Sequence, residues 1–122
     1  MEWIARGLVG LVAVLHIGFL YLEMFLFDTP TGRKIFRISE QKSRDAKELA
    51  ANQGLYNGFL AAGLIWGIVL DVQGAGHATD VMTFFCACVI VAALYGAYSV
   101  NKQIFVIQGI PAVAALAAVL FL

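Results

Sequence analysis

Four apolar runs, at 3–27, 49–70, 81–100 and 104–122, set the pattern of this chain, and short polar stretches separate them. Each run is near or above the roughly 20 residues that cross a hydrocarbon core at about 1.5 Å of rise per residue. The first is read as a span and not as a cleaved signal peptide. It exceeds the usual h-region of about 7–15 residues, and Phe25-Leu26-Phe27 does not resemble a small-residue cleavage site. Asp28-Thr29-Pro30-Thr31-Gly32 breaks the first helix, a loop with Gly74 and Gly76 ends the second, and Asn101-Lys102-Gln103 makes a tight turn before the fourth. The pattern predicts one all-α domain over 1–122, an integral membrane, antiparallel four-helix transmembrane bundle.

Charge then orients it. The loop 28–48 carries Arg33, Lys34, Arg37, Lys42, Arg44 and Lys47, and Lys102 sits in the turn 101–103, so these two loops hold seven of the eight Lys and Arg residues. Positive loops stay in the cytoplasm. Both loops are therefore expected on the cytoplasmic side and both termini outside, with Arg6 the exception. Ile35, Phe36 and Ile38 among the cations suggest a short interfacial stretch, and Ser39 or Ser43 can cap the helix that enters span two. The segment reads first as a topology determinant, with membrane lipid or a partner protein as further occupants.

Composition agrees with the class: 61% of residues are hydrophobic and 13% charged, against about 25% charged in a soluble domain. The formal net charge of zero leaves no nucleic-acid footprint. Cys86 and Cys88 are two residues apart in a helix, which turns them to nearly opposite sides; they read as small buried residues and not as a redox or metal pair.

Polar residues inside the spans carry the candidate chemistry. Asn52, Gln53 and Asn57 open span two, and an unpaired amide in hydrocarbon costs roughly 2–7 kcal/mol, so they call for partners or a wet cavity. Gly54, Gly58, Gly63 and Gly67 line the same helix with small residues that let backbones approach, and offer a surface for a possible homodimer. In the predicted topology the polar ends meet on the cytoplasmic side: Glu23 and, about 10 Å deeper, His16 from span one; Asn52, Gln53, Tyr56 and Asn57 from span two; Tyr95, Tyr98 and Ser99 from span three; Gln108 from span four. The outer half is left as a dry plug, apart from Arg6 and Thr83.

Glu23 is the sharpest candidate, because a carboxylate a turn inside the membrane either ionises among donors or stays protonated. Its bland alternative is snorkelling to the interface or pairing with a loop arginine. His16, a lone histidine near the midplane, is either a hydrogen-bonded structural residue or a proton partner for Glu23. No second histidine lies in a span, so a metal site is not expected. The tyrosines are equally well explained as interfacial anchors, and Pro111 either starts span four or kinks it.

The His16 and Tyr21-Leu22-Glu23-Met24 run, the block Asn52-Gln53-Gly54-Leu55-Tyr56-Asn57-Gly58-Phe59-Leu60-Ala61-Ala62-Gly63, and Gln108-Gly109-Ile110-Pro111-Ala112 resemble the bacterial and fungal membrane family called domain of unknown function 1304. The resemblance covers essentially the whole chain. It implies a small protein of four spans in the bacterial cell (inner) membrane, with no established activity; no nucleotide-binding Gly-rich loop is present and no cofactor is implied. The expected function is a cytoplasm-facing polar pocket that binds or transports a small polar or amphipathic molecule. Its ligand-binding candidates are His16, Glu23, Asn52, Gln53, Tyr56, Asn57, Tyr95, Ser99 and Gln108, and Glu23 changes protonation. Two alternatives stand beside it: a membrane enzyme moving protons on a quinone or isoprenoid with Glu23 and His16 as catalytic pair, and a structural or assembly subunit.

Overall fold

A computed structural model describes residues 1–122 and is helical almost throughout. Helix α1 runs Glu2–Tyr21 and continues through a π-helical turn, Leu22–Leu26; α2 is the short Pro30–Phe36; α3 is Glu40–Val72; α4 is Ala78–Ser99; a second π-helical turn, Phe105–Gly109, leads into α5, Ile110–Phe121. Three helical segments, Glu2–Leu26, Glu40–Val72 and Ala78–Ser99, are long and apolar enough to cross a membrane, and Phe105–Phe121 is a shorter apolar helix.

The boundaries follow from local chemistry. Thr29 caps α2: its Oγ1 accepts from the Gly32 backbone N–H at 3.1 Å, and Pro30 occupies the first turn, where its missing donor costs nothing. Arg37 ends that helix in the left-handed region (φ 56°), and the next amide, of Ile38, bonds back to the Arg33 carbonyl at 3.1 Å. Ser39 accepts from the Lys42 amide at 3.1 Å and caps α3. The helix thus begins at Glu40, well before the apolar run at 49, because the charged segment is itself a good helix former. Gly74 (φ 75°) stops α3, with the Ala75 amide returned to the Leu70 carbonyl at 2.9 Å. In the second π turn the Ile110 amide reaches back to the Phe105 carbonyl. Pro111 accounts for it, since a regular helix would drive its ring into the Ile107 carbonyl, and a wider turn relieves the clash.

The chain forms two compact units, residues 1–15 with 60–122, and residues 16–59. In the first, Val9, Val12, Leu64, Cys86, Val89, Ala112 and Ala115 are buried together with Ala13 and Met82. Helix α4 packs against α5. Gly63 and Gly67 face α4: a Cβ at Gly63 would enter the Phe85 ring, and one at Gly67 would strike Met82 Cγ. Arg6, the exception to the charge pattern, donates through Nε to Asp71 Oδ2 at 2.6 Å, which neutralises it locally. The one buried polar atom here without a hydrogen-bond partner is Thr83 Oγ1. Cys86 is buried and Cys88 half-buried, and both are free thiols.

The second unit holds the end of α1, α2 and the first half of α3. Gly54 and Gly58 pack against Leu20, and Gly54 also against Glu23 and Met24. All four glycines of α3 are therefore engaged inside the chain. The small residues let α3 approach its own neighbours on that face.

Candidate functional site

The site is built in the second unit, where α3 crosses the end of α1. Gly54 brings the backbones together: a Cβ there would stand 2.8 Å from Met24 Cγ, 3.0 Å from Glu23 Cβ and 3.1 Å from the Leu20 carbonyl oxygen. Three residues on, nearly one turn, Asn57 lies on the same side of α3 and is buried. Its Nδ2 donates to Glu23 Oε1 at 2.5 Å. Glu23 stands in the π turn Leu22–Leu26, and the extra residue in such a turn re-aims the side chains relative to a regular helix.

Asn57 is the side chain that donates to Glu23, through the Oε1 oxygen of the carboxyl. Glu23 remains half-buried and is not sealed. A carboxylate offers two acceptor oxygens, more than the one Asn57 amide bond uses.

His16 is fully buried, with its ring edge-on to Phe19 at 5.2 Å between centroids. It is engaged with a partner of its own, and about 10 Å of helical rise separates it from Glu23. Asn52, Gln53 and Tyr56 lie exposed on the outer side of α3, the Tyr56 ring resting against Phe59. In the first unit Tyr95, Tyr98 and Ser99 are exposed, and Ser99 Oγ donates to the Tyr95 carbonyl, a contact within one helical turn. Gln108 is half-buried in the second π turn and has a partner. The open grooves of that unit are apolar, one of them lined by Phe84, Ala87, Cys88, Val91 and Ala92, and hold none of the candidate polar residues. No three His, Cys, Asp or Glu side chains come together as a metal-ligand group.

A second polar cluster was hidden in the sequence. Asp28, read there as a turn residue, accepts from Ser43 Oγ at 2.7 Å and from Arg33 Nη1 at 3.0 Å, and Ser43 also reaches the Phe27 carbonyl at 3.3 Å. The Ser43 hydroxyl, then the Arg33 guanidinium and the Lys47 charge, hold the Asp28 carboxyl below its ordinary range against some desolvation. The available signal was Ser43 itself: a serine inside the first turns of a helix already capped by Ser39 is free to bond elsewhere.

The family model described as "Protein of unknown function (DUF1304)" matches residues 10–120. A protein of Lactococcus lactis subsp. lactis (strain IL1403), described as "Uncharacterized protein YpaA", is 30% identical over 113 residues, covering 91% of this chain and 92% of its own length. No solved structure matches the chain.

Proposed function

We infer, for a chain that belongs to the DUF1304 family, a small integral membrane protein of four antiparallel spans that binds a small polar or amphipathic molecule at Glu23. The observation that carries this is the half-buried Glu23 carboxyl held by the Asn57 amide, within a helix apolar enough to cross a membrane. Burying a carboxyl group there has a cost that a purely structural contact does not require, since an amide pair would fix helix register as well. Asn57 holds the carboxyl in place, and the ligand supplies a further donor.

Four spans follow if 104–122 crosses as the other three do. The positive loops 28–48 and 101–103 then face the cytoplasm of a bacterial inner membrane, both termini lie outside, and the Arg6–Asp71 pair removes the one charge that argues against this orientation. Glu23 falls about a turn inside the cytoplasmic boundary. Transport would call for a second copy, which must use a face other than the filled glycine face of α3.

A structural reading is favoured by the same hydrogen bond, which ties α1 to α3. An enzymatic reading with His16 as proton partner has less support, because the ring is fully buried and distant along the helix. Native mass spectrometry of the protein in mild detergent separates binding from structure. Binding predicts a small-molecule adduct on the wild type that Glu23→Gln loses while keeping wild-type thermal stability. The structural reading predicts no adduct on either.

A further inference from the structure

Helix α2 is fixed in place with unusual economy. It packs on the π turn that ends the first span. Gly32 is buried so closely there that a Cβ would collide with the carbonyl oxygens of Leu26 and Phe27. Thr29 Oγ1 donates to the Leu26 carbonyl at 2.6 Å, and the Phe27 and Phe36 rings meet at 5.1 Å between centroids. A helix folded back on the last turn of a membrane span lies at headgroup depth, not out in the cytoplasm.

The charges around it divide into two groups. Arg33 is committed to Asp28, and Arg44 to Glu40 at 2.6 Å. Lys34 and Arg37 are exposed, make no ion pair, and flank Ile35, whose side chain is half exposed. Unpaired cations beside an exposed aliphatic side chain are what an interfacial helix presents to anionic lipid. We propose that α2 is a docking surface for anionic phospholipid headgroups, with Lys34 and Arg37 as the phosphate-binding cations and Ile35 seated among the upper acyl carbons. The proposal rests on α1 spanning a membrane, but not on Glu23 binding a ligand, and it stands or falls separately from that site.

The test is native mass spectrometry of the full chain in detergent with equimolar phosphatidylglycerol and phosphatidylcholine of the same acyl chains. The wild type retains phosphatidylglycerol in preference. Lys34→Gln with Arg37→Asn, the latter chosen because Asn tolerates the left-handed backbone at that position, reduces the preference by roughly fivefold per cation. Lys34→Arg with Arg37→Lys preserves it. Equal retention of the two lipids by the wild type overturns the proposal, as does loss of preference in the charge-preserving pair. A preference that survives Lys34→Gln/Arg37→Asn and disappears in Lys42→Gln/Lys47→Gln overturns the assignment to α2.

Discussion

Gly54 stands where a side chain would meet the Cβ of Glu23 at 3.0 Å, and this close approach is what allows Asn57 to reach the Glu23 carboxylate. Gly54→Ala pushes α3 away from a wall that includes the Leu20 carbonyl, which cannot yield. It should cost about 1–3 kcal/mol. Gly58→Ala meets only the far end of the Leu20 side chain and should cost less. Gly76→Ala, in open space, should be near neutral. Thermal unfolding of the three variants in one detergent gives the order; equal shifts would show that the helices do not approach as described.

Glu23→Gln and Glu23→Leu separate charge from hydrogen bonding. The glutamine keeps an acceptor for Asn57 Nδ2, so its stability stays close to wild type. Leucine strands a buried amide and should lose about 1–3 kcal/mol, which Asn57→Leu in the same chain partly restores. A double-mutant cycle without coupling would remove the contact from the account.

Asp28 predicts an acid limit. Its folded pKa lies below the unfolded value, so the stability it contributes is fully present above about pH 3.9 and is lost as pH falls through the lower folded value. Limited proteolysis or amide exchange across 28–43 should show this segment loosening in acid. In Asp28→Asn the acid-dependent component of that loosening disappears, and an unchanged profile would mean that another group titrates.

Arg6 and Asp71 are each about a third exposed, 31% and 28% for their side chains, so solvent screening keeps the pair weak. A double-mutant cycle with Arg6→Gln and Asp71→Asn should give a coupling of about 0.2–1 kcal/mol that shrinks in high salt.

Helix type was legible because hydrophobic run length reports on the capacity to cross a membrane, and α1, α3 and α4 fall where three of the four runs do, while the fourth run forms the shorter apolar helix Phe105–Phe121. The beginning of α3 at Glu40 was not, since apolarity marks the membrane part of a helix and not its solvated extension. Glu23 and Asn57 were both visible as polar residues in apolar surroundings, but so were Asn52, Gln53 and Tyr56, which the structure leaves exposed. What separates them is rotation about the α3 axis, and that depends on which side Gly54 and Gly58 turn toward α1. The Asp28–Ser43 bond joins residues far apart in sequence through a hydroxyl that any helix start can carry, so no local pattern announces it.

The most direct measurement is a high-resolution structure of the protein in lipid, inspected at Glu23. The account predicts density that is neither protein nor ordered water within hydrogen-bonding distance of Glu23 Oε2, while Asn57 holds Oε1. An Oε2 closed off by aliphatic side chains, with no volume beside it, would contradict the binding site and leave the Glu23–Asn57 pair as a contact that fixes helix register.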